Sequence, residues 1–523
     1  MAETFLILLP QVALACLACV LLIGGTFKVP AQTWSWAALG SLAIAAVCMF
    51  GRPAYSPAPA LTSPVTHDLL STGFQWCILV AAALFVLASM NYAAESDSAA
   101  EFYALLLIAV AGTMLVSVAN DLVLLLLALE LISVPTYVLL YLGRRDYASQ
   151  EAATKYFLLS VMSAAILLYG FAFLYGLTGT TNLKYAHLVL AESYAPVGEV
   201  RGGGSVFGVL ALVLIFAGLG FKLAAVPFHF YAPDVYQGTS AFNAGLLSVV
   251  PKAAGLIALI RVLNETMTGF EEAGERTALI LAIITMTGGN CLALLQTNVR
   301  RMLAYSGIAH AGYMLIGIAV GFWDQTQPEL SLNNHSSLPG GVHASLLYLL
   351  VYSVASVGMF SVLIYLARKG KQIEHREELT GLIRTQPVMA VAAAIFLFSM
   401  AGIPPLAGFW GTFALFNTAL SVHGPGKDIA LMTHGGFTTL AIIAVLNAAV
   451  AIVYYLRLVL IMFLNEPISH PKPEGGRGAF AAAVISSALV VAIGIAPGPV
   501  FDFLRGPPPA VPTAQVALPA QPQ

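Results

Sequence analysis

The stretch DLVLLLLALELISVPTYVLLYL, residues 121–142, decides what kind of protein this is. It is apolar for long enough to cross the roughly 30 Å hydrocarbon core of a bilayer. At its centre, between leucines, stands one acid, Glu130. Insertion scales put a charge at the bilayer centre at about 3 kcal/mol unfavourable, so an acid kept there is paired or has a task. The rest of the chain repeats the pattern. Of 523 residues, 59% are hydrophobic and only 9% charged, with a mean hydropathy of +0.86. So few charges cannot cover a water-facing surface of this size, so the solvent for most of it is lipid. The net charge of −2 offers no basic patch for nucleic acid.

Runs of about 20 apolar residues place spans at 4–25, 32–50, 74–92, 100–119, 121–142, 152–178, 206–230, 240–263, 276–296, 301–321, 342–368, 386–420, 437–464 and 478–500. The N-terminus lacks the basic leader of a secretory signal, so the run from Phe5 is read as a retained first span. The seventh span carries Pro227 near its end, and the twelfth is interrupted by Gly402-Ile403-Pro404-Pro405. Proline removes a backbone hydrogen bond, and freed backbone groups survive in lipid only beside protein or water. The two breaks lie five spans apart. Five is odd, so a repeat of that length inverts, which predicts an all-α fold with two inverted five-helix repeats and discontinuous helices 7 and 12. The expected units are helices 1–3 (1–99), a first repeat (100–263), a second (276–464), a last helix (478–500) and a proline-rich, disordered tail (501–523).

Lys28, Arg144, Arg145, Arg300, Arg301, Arg368, Lys369, Lys371, Arg376, Arg384, Lys472 and Arg477 fall on one side. Arg52, Lys184, Arg201, Arg261, Arg276, Lys427 and Arg505 fall on the other. The positive-inside rule puts the richer side in the cytoplasm and both termini away from it. Cys16, Cys19, Cys48, Cys77 and Cys291 all lie in apolar runs and read as small core residues; no set of them suits a metal or a cluster.

Three further charges join Glu130 inside spans or near their ends: Lys222 in GLGFKLAAVP, Lys252 in SVVPKAAG and Lys155 in EAATKYF. Burial lowers a lysine's affinity for its proton and a nearby carboxylate restores it, so a lysine between these influences can load and release a proton. The competing reading is a static ion pair that orients helices. Lys155 follows Glu151 by four residues, close enough to pair on a helix, and snorkelling to the interface is its alternative. His229 and His310 are further candidates: His229 would share the Lys222 face if the helix were unbroken. Each serves equally well as a satisfied structural histidine. Arg457 reads as structural or lipid-facing.

These residues stand in recognisable segments: EFYALLLI from Glu101, LALELISVPTY around Glu130, EAATKYFLLS around Lys155, KLAAVPFH and APDVYQG between Lys222 and Gly238, QTNVRRMLAYSGIAHAGY around His310, and GIPPLAGFWG from Gly402. From about Glu101 to Phe463 the chain resembles the subunit N (subunit 2) family of respiratory complex I, the proton-translocating NADH:quinone oxidoreductase. The resemblance implies that Glu130 and Lys222 form a charged pair in the cytoplasmic half-channel, that Lys252 is the central relay, and that Lys155 and His310 lie on the same polar axis. It implies no redox centre in this chain; NADH, FMN, iron–sulfur clusters and quinone would sit in partner subunits. Expected partners are antiporter-like subunits M and L and small membrane subunits, in a bacterial inner membrane. Two departures stand out. The family pattern carries a lysine where this chain has Thr412, which cannot titrate in the useful range, and residues 239–245 read TSAFNAG where a proline-containing segment is usual. The competing functions are a subunit of a multi-subunit cation/proton antiporter and a scaffold subunit that has lost pumping.

Overall fold

The computed structural model describes residues 2–27, 29–52, 63–94, 98–143, 146–194, 205–326, 340–367, 372–422, 434–467 and 473–505. The loop charges Lys28, Arg144, Arg145, Arg201, Arg368, Lys369, Lys371, Lys427 and Lys472 and the tail 506–523 lie outside the described residues.

The chain is a helical bundle. Its helices are α1 (Ala2–Gly24), α2 (Ala31–Phe50), α3 (Leu69–Ala94), α4 (Ala99–Val118), α5 (Leu122–Gly143), α6 (Tyr147–Thr178), α7 (Leu183–Tyr194), α8 (Val206–Leu223), α9 (Tyr231–Gly238), α10 (Ala241–Leu259), α11 (Glu271–Leu294), α12 (Val299–Thr326), α13 (Gly341–Leu366), α14 (Pro387–Met400), α15 (Ala407–Leu420), α16 (His434–Leu464), α17 (Gly476–Ile495) and α18 (Gly498–Arg505). Among the described residues thirteen helices are long and apolar enough to cross a membrane. The twelfth span is discontinuous, as expected: it is two short helices, α14 and α15, on either side of Gly402-Ile403-Pro404-Pro405.

Polar caps set several helix starts that hydropathy alone misplaces. Asp68 accepts from the Ser71 amide at 2.8 Å, so α3 begins at Leu69 rather than at 74. Asp146 accepts from the Ser149 amide at 2.9 Å and starts α6 five residues before the expected 152. The amphipathic helix α7 lies in the connection between the sixth and seventh spans.

The two repeats pack alike. In the first, α4 pairs with α5, α6 with α8, and α8 with α10; in the second, α11 pairs with α12, α13 with α15, and α15 with α16. At the first break α8 stops at Leu223 because Ala224 takes the left-handed conformation, φ 58°, a strain of about 1–3 kcal/mol for a residue with a Cβ. At the second, Gly402 takes φ 74° without that strain, ahead of Pro404 and Pro405. Helix α10 lies at the centre of the bundle with every residue buried, between α4, α5 and α8 on one side and α12 and α13 on the other. It continues into a π-helical turn, Ile260–Asn264.

The cysteines correct one reading. Cys16, Cys19 and Cys291 are exposed and face outward from the bundle, Cys48 is half-buried, and Cys77 lies against Ser353 of α13 as a core residue would. In an apolar helix every face suits either lipid or core, and residue type cannot distinguish them.

Candidate functional site

Lys222 sits in the last turn of α8 and is 4% exposed. Breaking the helix here turns the negative end of its dipole toward this ammonium, a favourable interaction of about 1 kcal/mol. Its Nζ donates to the hydroxyls of Ser133 at 2.6 Å and Ser160 at 3.1 Å. Glu130 lies one turn before Ser133 on α5, and its buried Oε1 has no hydrogen-bond partner. The Ser133 hydroxyl itself donates to the Leu129 carbonyl at 2.8 Å, and Lys222 and Glu130 do not close into an ion pair.

Lys252, 2% exposed on α10, donates to the Tyr352 hydroxyl at 3.3 Å. Gly307 makes room for it: a Cβ there would come within 2.4 Å of the ammonium. Tyr352 stands beside His310, ring centroids 4.8 Å apart. His310 is 5% exposed and held from both sides, with Nδ1 to the Tyr348 hydroxyl at 2.6 Å and Nε2 to the Tyr455 hydroxyl at 3.0 Å. Tyr455 in turn bonds Ser306. A phenol both donates and accepts, so this row of tyrosines can hand a proton in either direction. A small cavity lined by His310, Tyr348, Tyr352, Ser399 and Thr412 adjoins the row. The Thr412 hydroxyl donates back to its own helix, to the Phe409 carbonyl at 3.0 Å and the Gly408 carbonyl at 3.1 Å.

The other two candidates lie apart. Lys155 is 41% exposed and pairs with Glu151 at 2.8 Å and with Asp234 at 3.1 Å. Asp234 also takes Arg301 at 2.7 Å. This cluster ties α6, the α9 half-helix and α12 together at the end of the bundle that carries residues 295–298. Burial works to raise the Asp234 carboxyl, but the hydrogen bonds from Lys155 and Arg301 outweigh it and hold the group below its ordinary value. His229 lies in the link between α8 and α9, off the helix that carries Lys222.

Sequence reasoning missed several participants. Tyr348, Tyr352 and Ser356 recur every fourth residue on α13, a polar stripe in an apolar helix, which is a legible signal. Ser356 donates to Ser248, one turn before Lys252. Arg261 and Arg300, counted above among loop charges, are fully buried. Arg261 takes Asp68 at 2.6 and 2.7 Å and Glu265 at 2.8 Å. Burial pushes the Asp68 carboxyl up, but the Arg261 guanidinium and the Ser71 bonds overcome this and hold it well below the carboxylate range. Arg300 bonds the Thr239 carbonyl, Gln372 and Glu374, so the unusual segment 239–245 is tied to the second repeat.

A row of buried lysines, tyrosines and a histidine thus lies between two broken helices. The family model described as NADH:quinone oxidoreductase/Mrp antiporter, transmembrane, matches residues 119–441. The chain belongs to that family. NADH-quinone oxidoreductase subunit N of Rhodospirillum rubrum is 34% identical over 501 residues, covering 94% of this chain and 95% of the relative. A second subunit N, from Roseiflexus castenholzii, is 36% identical over 473 residues, 90% of this chain and 89% of that protein. Among solved structures, a chain of respiratory complex I from Thermus thermophilus with bound aureothin superposes with a TM-score of 0.73 at 32% identity, covering 94% of this chain and 98% of that one. A chain of the Mrp complex from Dietzia reaches 0.76 at 19% identity, 96% of each, which speaks for the fold alone.

Proposed function

We propose that this chain is the subunit N of a bacterial NADH:quinone oxidoreductase and that it carries protons across the inner membrane along Lys222, Lys252, Tyr352 and His310. One observation carries the reading: a lysine at the centre of the most buried helix, with a neutral tyrosine and no carboxylate as its hydrogen-bond partner. A buried ammonium held by neutral groups contributes little to stability, since it costs several kcal/mol to desolvate. Its use is to gain and lose a proton when a neighbouring charge moves. NADH, FMN, iron–sulfur clusters and quinone belong to partner subunits, and redox work there drives the charges here. The antiporter-like subunits M and L and small membrane subunits are the neighbours this implies. The end carrying residues 295–298 and Lys155 faces the cytoplasm, and both termini face away.

The test is the complex purified from native membranes and reconstituted in vesicles, with protons moved per NADH oxidised as the readout. Lys252→Ala is expected to lower that ratio. An unchanged ratio would make the chain a scaffold. Co-purification with small antiporter-type subunits and no redox protein would make it an ion exchanger.

A further inference from the structure

The tyrosines take a proton from His310 only as far as their own hydroxyls reach, and the Thr412 hydroxyl is turned back onto its own helix, so between His310 and Thr412 the carrier is water. The geometry points to where that water enters. A second cavity touches His310 and Thr412; it is lined also by Asn290, Tyr348, Met400 and Tyr454. Tyr454 bounds, on its other side, a third cavity formed by Gln296, Thr297, Asn298, Arg376 and Arg457. Thr297 and Arg457 are exposed, so this outer cavity reaches the surface. One ring thus separates an inner chamber from an outer one. The Tyr454 hydroxyl is fixed by donation to the Asn290 Oδ1 at 3.0 Å, and Asn290 is held by Asn447 at 3.2 Å. In the outer cavity Asn298 is 5% exposed, and its buried amide nitrogen has no protein partner, which marks a polar site suited to water.

We propose that Tyr454 is the door of a water port, through which the His310–Thr412 chamber fills from the end of the bundle bearing residues 295–298. The ligand is water and not an ion. Arg376 is paired with Glu377 at 3.1 Å, so of the two arginines lining the mouth one is neutralised, and the lining is otherwise amide, hydroxyl and apolar groups that suit neutral water. Asn290 holds the ring in place, and breaking its bond to the hydroxyl frees the ring to swing.

The inference rests on the proton-transfer reading, and the test separates the two. The reconstituted complex is exposed to radiolytic hydroxyl radicals, and oxidation of Met400 is followed by mass spectrometry. Met314 and Met389, both fully buried, serve as dry references. Met400 is expected to oxidise several-fold faster than these references. Its rate should rise further in Tyr454→Ala and in Tyr454→Phe, which keeps the ring but loses the Asn290 bond. It should fall toward the references in Tyr454→Trp, with protons moved per NADH falling too. A Met400 rate indifferent to residue 454, in variants that assemble and still reduce quinone, overturns the port. If Lys252→Ala still lowers the proton ratio in that case, the proton-transfer reading stands without it. If neither substitution alters the ratio, that reading falls as well.

Discussion

Replacing Gly307 by alanine tests the Lys252 link without removing a charge. The added Cβ would sit 2.4 Å from the Lys252 Nζ and 2.8 Å from the Tyr352 hydroxyl. Ordinary contact needs about 3.4 Å, so the ammonium must retreat by about 1 Å, and its 3.3 Å bond to Tyr352 cannot survive in place. The obstructing atom is the flexible end of a lysine, so the backbone of α12 need not move. Alanine also favours helix over glycine by about 1 kcal/mol, so the variant should fold and assemble. A misplacement of about 1 Å along a transfer path can slow the step by on the order of a hundredfold. NADH oxidation coupled to proton movement should therefore slow by at least about tenfold, within that same bound. The assay is NADH-driven acidification or alkalinisation in vesicles holding the purified complex. Gly288→Ala is the control, since its nearest neighbour would be Val226 at an unstrained 3.6 Å. Coupled turnover equal in the two variants would refute the claim that the Lys252–Tyr352 contact lies on the proton route.

Two other expectations follow from the same geometry. Asp68→Asn leaves the buried Arg261 with Glu265 as its one carboxylate, beside the Ser117 carbonyl, and should destabilise the chain by about 2 kcal/mol, at the low end because both carboxylates are over a third exposed and water screens them. Because Asp68 is held below its ordinary value when folded, its contribution is complete above about pH 4 and fades as pH falls through the folded value; melting of the detergent-solubilised complex should lose that acid sensitivity in the variant. Thr412→Lys places a titratable group in the chamber, and in a Tyr454→Trp background it should restore protons moved per NADH; a double variant no better than Tyr454→Trp alone would separate Thr412 from the need for water.

How much of this could be read from the chain follows from what lipid demands. Length and hydropathy reveal spans because the bilayer imposes a thickness, and Pro227 and Gly402-Ile403-Pro404-Pro405 point to the breaks because proline removes a helix hydrogen bond, although Pro10, Pro135 and Pro251 stand inside continuous helices. Lys222, Lys252 and His310 were visible because a charged or polar group in such a run is rare. The partners of these groups were not. Ser133, Ser160 and the tyrosines of α13 and α16 are ordinary residues in apolar helices, and only the crossing of helices far apart in sequence brings them to the lysines. Asp68 and Arg261 are 193 residues apart; Arg261 was counted only as a cation on one side, since positive-inside reasoning counts a charge without asking what it faces, and Asp68 was not singled out. The outward cysteines fail for the converse reason: lipid-facing and core-facing surfaces share one composition.

The arrangement around Lys222 bears on whether these charges are machinery or scaffold. A static strut would close Glu130 onto Lys222, because an open buried pair forfeits the attraction that offsets its desolvation. Here the ammonium is shared between two serines, and a glutamate oxygen one turn away is left unbonded. Ser133 accepts from Lys222 while its own hydroxyl donates to the Leu129 carbonyl at 2.8 Å, so the ammonium can keep or release that serine without breaking an ion pair. The two states differ by a hydrogen bond, about 1 kcal/mol, well within reach of a charge displaced in a neighbouring subunit. Among the described residues Lys252 bonds a neutral phenol, Tyr352, and no acid. A strut would need neither the hydroxyls nor the chamber. A relay needs both, and the two broken helices supply the open backbone and the space in which they stand.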